Sequence, residues 1–318
     1  MKTILKISTV FFFAVLITFT FSSCHKEGTG GHSSVSGNVK HHSKLIPNAI
    51  VYIKYGATEF PGTDVSKYDD SFLNRSLQKR IKATNYDTPK AYYKFLEQDG
   101  KEGSNFVNSL NISYTEFFRN PLTFSVLERL ILPSIASCNL KTRRKEIRIW
   151  SAACAAGQET YSLAILLEEL INVDNIKINF RIFATDQDEI QVNKAIEGRY
   201  SANSLDNVSL KRVKQWFTQR DDSFAIKPEL KTNIDFSVFD LVNEQLGCPS
   251  ASIFGDFDLV VCANLLFYYK PEFQKIIVEK ASKYLADGGY LITGETERDI
   301  LLSYNFREVF PQSAIFQK

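Results

Sequence analysis

The apolar run Arg148-Ile149-Trp150-Ser151 passes through the small residues Ala152-Ala153-Cys154-Ala155-Ala156 and Gly157 straight into an amphipathic stretch at 161–170. A strand that turns into a helix in this way leaves backbone N–H groups and a helix N-terminus exposed at the strand's carboxyl end. Open α/β sheets take up nucleotide-like ligands at such places, and small side chains let a ligand approach the main chain closely. Glu159 stands at the start of that helix. Asp186 closes the run Phe183-Ala184-Thr185-Asp186, where a carboxylate commonly accepts hydrogen bonds from ribose hydroxyls. The run 258–262 is a strand that ends in polar and aromatic residues, Asn264 and Tyr268 among them, and Gly288-Gly289 turns into a late strand. Singly, each feature has an ordinary use: an Asp caps a helix, aromatics pack a core, Gly-Gly turns a chain. Their order along one chain points to a nucleotide-type cosubstrate. The loop is not G-x-G-x-x-G, which weighs against a nicotinamide dinucleotide.

Composition removes several alternatives. All four histidines (His25, His32, His41, His42) lie in the first 42 residues, so the rest of the chain holds no Ser-His-Asp triad, histidine base or histidine-ligated metal. The five cysteines (Cys24, Cys138, Cys154, Cys248, Cys262) form no C-x-x-C pair, which speaks against zinc or a disulfide framework. A net charge of +2 gives no reason to expect nucleic acid as a partner.

The elements that must position these residues follow from periodicity. Strands are expected at 147–152, 176–185, 234–239, 259–262 and 290–293, and helices at 161–170, 189–196, 210–217 and 273–285. This alternation predicts an α/β fold with a doubly wound, mostly parallel sheet. A short polar segment at 223–231 predicts a small β insertion. Ahead of the sheet, helical patterns at 72–83, 91–96 and 106–110 and a last one at 125–132, ending before Pro133, predict a small α-helical domain. Arg75, Lys79 and Lys82, with Arg80 beside them, give the first of these helices a basic face.

The N-terminus reads differently. Met1-Lys2 and Lys6 precede the apolar run 7–21 and Ser22-Ser23-Cys24, the pattern of a secretory signal. Phe21-Ser22-Ser23-Cys24 resembles a bacterial lipoprotein box, which implies lipidation at Cys24; the alternative is an uncleaved anchor, for which the run is short. Residues 25–45 read as a tether, and 47–55 as a strand. With 35–39, that strand is similar to the opening of the small β modules of exported lipoproteins, though two strands alone bury no core. The expected division is 1–24 signal, 25–65 tether and strand fragment, 66–140 helical domain, and 141–318 cosubstrate-binding domain.

Five motifs in order carry a resemblance over about residues 65–318. They are Thr115-Glu116-Phe117-Phe118-Arg119-Asn120-Pro121, the Trp150–Ser162 loop, Ala184-Thr185-Asp186, Cys262-Ala263-Asn264 through Tyr268, and Gly288-Gly289 through Gly294-Glu295-Thr296-Glu297. The chain resembles the chemotaxis receptor methyltransferases, the CheR family, which move a methyl group from S-adenosylmethionine to glutamate side chains. The resemblance implies a sheet of the S-adenosylmethionine-dependent methyltransferase type, that cosubstrate, no metal, and the cytoplasmic helical region of chemoreceptors as partner. Ser113, Thr115, Arg119, Gly157, Glu159, Asp186, Asp240, Leu241, Ala263 and Asn264 would then hold the cosubstrate. Arg119 and Tyr268 would serve at the transferred methyl, and Arg75, Lys79, Arg80 and Lys82 would meet an acidic receptor helix. The departures are Gln158, Thr160, Asp240 and Ala263, where the family usually has Glu, Pro, Asn and Arg. The segment after Phe217 is shorter than in members that dock on a receptor's C-terminal pentapeptide, so recognition without that tether is expected. S-adenosylmethionine is a cytosolic metabolite, so a lipoprotein leader conflicts with a cytoplasmic catalytic domain. The composition break near 60–72 reads as a fusion or gene-boundary error. Two alternatives stay open: the same fold with another acceptor, and an exported lipoprotein whose methyltransferase-like domain only binds.

Overall fold

The computed structural model describes residues 40–41, 44–45, 65–110, 114–141, 145–174, 177–243, 245–252 and 255–317. The signal segment, Cys24, the 47–55 strand and Ser113 lie outside the described residues. The chain divides into two units, Met1–Asp64 and Val65–Lys318. In the first, Lys40–His41 pairs antiparallel with Lys44–Leu45.

The second unit opens with α1 (Asp70–Ala83), α2 (Pro89–Gln98) and α3 (Gly100–Leu110). Their starts follow from local chemistry. The Asp69 carboxylate accepts the N–H groups of Ser71 and Phe72, and Thr88 caps α2 with Pro89 in its first turn. Phe72, Ile81, Tyr92, Leu96, Phe106 and Leu110 are buried. Among them sits Glu102, 3% exposed, which accepts Nε and Nη2 of Arg80 at 2.6 Å each and the Tyr92 hydroxyl at 2.7 Å. The Arg80 guanidinium holds the Glu102 carboxyl below its ordinary value.

The next helical stretch corrects an expectation. It runs from Pro121 to Asn139 as α4 (Pro121–Val126), a π turn (Leu127–Ile131) and α5 (Leu132–Asn139), so Pro133 does not end it. In the π turn the Leu132 N–H reaches back five residues to the Leu127 carbonyl. Pro133 then falls in the first turn of α5, where a missing N–H is tolerated.

Strand and helix alternate from there. The elements are β1 (Glu146–Ser151), α6 (Gln158–Asp174), β2 (Asn179–Asp186) and α7 (Glu189–Glu197). An insertion follows as β3 (Arg199–Ser201), α8 (Leu210–Trp216), β4 (Phe217–Arg220), β5 (Ser223–Ile226) and α9 (Pro228–Lys231). The chain ends with β6 (Ile234–Val238), β7 (Phe257–Val261), α10 (Pro271–Lys283), β8 (Leu285–Ile292), α11 (Arg298–Ser303), β9 (Arg307–Glu308) and β10 (Ile315–Gln317). The seven-stranded sheet has the order β9-β10-β8-β7-β1-β2-β6, parallel from β8 to β6. Its other edge is antiparallel. The expected doubly wound sheet is present, and the β insertion is a separate antiparallel sheet, β3-β5-β4.

β7 is buried along its whole length, and β1 is buried from Ile149 on, with Glu146 and Arg148 half-buried at its start. Trp150, fully buried, donates its indole N–H to the Thr185 hydroxyl at 3.0 Å and so ties the carboxyl ends of β1 and β2 together. On one side of the sheet α6 buries Tyr161, Leu163, Ala164, Ile165 and Leu167, and Ile135 and Ala136 of α5 join the same core with Ile147 and Ile149. No helix among the described residues is long and apolar enough to cross a membrane.

Candidate active site

From β1 the chain winds to β2 and β6 on one side, then returns to lay β7 on the other side of β1. Strand order reverses there, and a crevice opens at the carboxyl ends of the strands. The cleft is lined from several separate stretches of chain, five of which carry residues singled out in the sequence. Thr115 and Arg119 come from the loop before α4, Glu159 from the start of α6, and Asp186 from the end of β2. Asp240 and Leu241 follow β6, and Ala263, Asn264 and Tyr268 follow β7.

The loop after β1 is held open by its neighbour strand. Ala155 has a φ of 44°, a left-handed conformation that an alanine adopts at some expense. Its N–H donates to Asp186 Oδ2 at 2.9 Å, and the Asp188 N–H donates to Oδ1 at the same distance. Each carboxylate oxygen thus spends one lone pair on the protein and keeps another for a ligand. Burial pushes the Asp186 carboxyl up while these N–H groups draw it down.

Gly157 is not a lining residue. Its φ is 90°, and a Cβ there would lie 2.9 Å from Ala195 Cβ, so glycine is needed to let the loop cross α7. Gly157→Ala is expected to destabilise the fold by about 1–3 kcal/mol through overpacking and φ strain. Thermal unfolding checks this; an unchanged melting temperature would refute it.

Glu159 accepts the Ser151 hydroxyl at 2.9 Å, and Thr160 donates to the same Ser151 oxygen at 3.1 Å. Enclosure in the cleft floor pushes the Glu159 carboxyl up to about 7, against the pull of Ser151 and the Arg119 charge. Arg119 donates Nη1 to the Tyr114 carbonyl at 3.1 Å, with its guanidinium 5.0 Å from the Tyr114 ring centre. Asn264 has a φ of 60°, which asparagine tolerates better than most residues, and leads into the tight turn Leu266–Tyr268. Burial holds the Tyr268 hydroxyl above its ordinary value, so it stays a proton donor at neutral pH.

Outside the cleft the basic residues separate. Arg75, Lys79 and Lys82 are exposed along α1, and Phe72 of that helix packs on Tyr268 with ring centres 4.9 Å apart. Arg80 is committed to Glu102. Its place beside Lys79 in the sequence concealed a partner 22 residues further on.

Three contributors escaped the sequence reading. Tyr68 and Gln187 line the cleft. Lys67 stands 3.6 Å from Asp240 and 3.4 Å from the Gln187 side-chain oxygen. The Lys67–Asp69 segment is fixed because the Asp69 N–H bonds the Tyr268 carbonyl at 2.8 Å and the Lys270 N–H bonds the Lys67 carbonyl at 3.0 Å. Residues just ahead of a helix carry no pattern that would announce this. Glu297 is a different case, visible as part of a motif but without a role.

A doubly wound sheet with a carboxylate closing its second strand and a glycine-turned loop after its first defines a protein that binds a nucleoside-bearing cosubstrate. Comparison with known families makes this specific. The family described as CheR methyltransferase, SAM binding domain, matches residues 113–313, and CheR methyltransferase, all-alpha domain, matches 62–110. The chain belongs to the CheR methyltransferase family, and S-adenosylmethionine is the cosubstrate of its larger domain. It is 29% identical over 237 residues to a chemotaxis protein methyltransferase of Listeria innocua, covering 74% of this chain and 85% of that one. To one from Borreliella burgdorferi it is 28% identical over 258 residues, 80% of this chain and 87% of the relative. To chemotaxis protein methyltransferase 1 of Pseudomonas aeruginosa it is 31% identical over 195 residues, 60% of this chain and 68% of the relative.

Proposed function

We propose that the protein transfers the methyl group of S-adenosylmethionine to glutamate side chains of chemoreceptors, as a protein-glutamate O-methyltransferase. The observation that carries this reading is the convergence of Asp186, Glu159, Arg119, Asn264 and Tyr268 on one cleft from distant parts of the chain. Asp186 takes the ribose hydroxyls on its two remaining lone pairs. Asp240 and Leu241 stand at the adenine, and Glu159, as an anion, takes the cationic amino group of the methionine end. Arg119 receives a carboxylate by charge-assisted hydrogen bonds, and Tyr268 donates its hydroxyl to the acceptor.

The chemistry asks little of the side chains beyond placement. A glutamate carboxylate is already ionised at neutral pH and needs no base. Its oxygen attacks the methyl carbon, the carbon–sulfur bond breaks, and the electron pair stays on sulfur. The products are a methyl ester and S-adenosylhomocysteine, with no proton moved. In-line alignment and exclusion of water supply the rate.

The exposed Arg75, Lys79 and Lys82 on α1, the helix whose Phe72 packs on Tyr268, favour an acidic receptor helix as the partner. Docking without a pentapeptide tether is proposed from the short insertion. The leader reading, with lipidation at Cys24, rests on the sequence of residues 1–24 alone, and mass spectrometry of the mature N-terminus tests it.

The test of the function is transfer of radiolabelled methyl from S-adenosylmethionine to receptor cytoplasmic fragments, with base-labile label as the signature of a glutamyl ester. Absence of cosubstrate binding by the folded protein would end the enzyme reading; binding without transfer would point to another acceptor. Changing Lys79 and Lys82 to Glu is expected to raise the receptor KM about tenfold at low salt and much less at high salt. A salt-independent effect would remove the docking role of α1.

A further inference from the structure

Glu297 is fully buried, 0% exposed, at the end of the turn Glu295–Glu297 that follows β8. One carboxylate oxygen accepts the N–H groups of Asn264 at 2.8 Å and Gly294 at 2.7 Å. The other accepts those of Leu266 at 2.6 Å and Phe267 at 3.5 Å. Every one of these partners is a donor. A protonated acid would have to point its own hydrogen at an N–H, so the four contacts suit the ionised form. Burial works the other way and raises the carboxyl, while the same N–H groups lower it.

The four bonds hold the segment that carries two cleft residues, Asn264 in its left-handed conformation and Tyr268 at the end of the next turn. Close approach is built in at Gly294, where a Cβ would lie 2.8 Å from the Asn264 side-chain oxygen. The charge of Glu297 also reaches the cleft: it opposes ionisation of Glu159 and of the Tyr268 hydroxyl. Arg119 acts on both groups with the opposite sign, and Arg75 acts on Tyr268 from α1.

We infer that Glu297 is a positioning residue with two duties: it fixes the Asn264–Tyr268 segment, and its buried negative charge favours the positively charged sulfonium of the cosubstrate over the neutral thioether of the product. The inference rests on the proposed use of the cleft and adds the residue that makes the site sensitive to the sulfonium charge. A merely structural carboxylate would affect both ligands alike.

The test compares S-adenosylmethionine and S-adenosylhomocysteine by calorimetry on the full chain. Glu297→Gln removes the charge and keeps the shape. It is expected to weaken both ligands and to shift their Kd ratio against S-adenosylmethionine by roughly tenfold, as for one charge removed from beside a partly enclosed site. Glu297→Asp keeps the charge on a shorter arm, so both affinities should fall with the ratio within about twofold of the parent. An unchanged ratio in Glu297→Gln, or an equal shift in Glu297→Asp, overturns the inference. Should Glu297→Gln not fold, Gly294→Ala displaces Asn264 without altering any charge. It should weaken both ligands equally, and a changed ratio there overturns the inference as well. A parent protein that binds neither ligand would instead refute the function proposed for the cleft.

Discussion

Replacing Asp186 with alanine is expected to weaken S-adenosylmethionine binding by at least about a hundredfold, with the protein still folded. The estimate follows from two charge-assisted hydrogen bonds to ribose hydroxyls, each worth roughly 1.5–3 kcal/mol when one partner is ionised. The substitution also strands the N–H groups of Ala155 and Asp188, which now donate to the carboxylate. Losing the first frees Ala155 from its left-handed conformation and lets the loop after β1 relax into the cleft. Calorimetry with S-adenosylmethionine measures the loss. A second ligand lacking both ribose hydroxyls separates the two effects, because it should bind parent and variant almost equally if the hydroxyls are the contact. Unchanged affinity for S-adenosylmethionine would remove Asp186 from the site.

How far such a site can be read from sequence depends on where its parts lie. β1, β2 and β7 are apolar in their second halves, which lead into Ser151, Asp186 and Asn264. Parallel topology brings such ends to one crevice, so strand pattern pointed to it, while the family resemblance singled out Asn264 and Tyr268. The edge strands β9 and β10 are two and three residues long, too short for a period to register. Pro133 misled because its effect depends on the ladder around it, and a π turn had already opened that ladder. Arg80 and Glu297 went astray for a common reason. The partners of each lie far away in sequence, 22 residues for Arg80 and about 30 for Glu297, so neither role shows in local spacing. Lys67 is the extreme case, with its Gln187 contact 120 residues away.

Cosubstrate binding should strengthen as pH rises toward neutrality and level off above it. Glu159 titrates at about 7 in the free cleft, so near pH 7 about half of the molecules carry it protonated. The anion is the form that takes a cationic amino group, and binding then releases the proton. Apparent Kd should therefore rise roughly tenfold for each pH unit below 7 and be flat above it, giving about a hundredfold loss at pH 5 from this group alone. Ser151 and Arg119 favour the anion and Glu297 opposes it, while Asp186, also raised by burial, adds its own loss toward the acid end. Stability of the ligand-free protein moves the other way. A carboxyl raised in the folded state binds more protons there than in the unfolded chain, so its contribution falls as pH rises from about 4.5 to about 7. Glu159→Gln removes the titrating group, and two changes should follow together. Cosubstrate affinity becomes weak and much flatter with pH between 6 and 8, and the melting temperature no longer carries the downward step over the acid side of that range. A Glu159→Gln variant that kept the parent's steep pH profile would assign the proton to another group and take the methionine end of the cosubstrate away from Glu159.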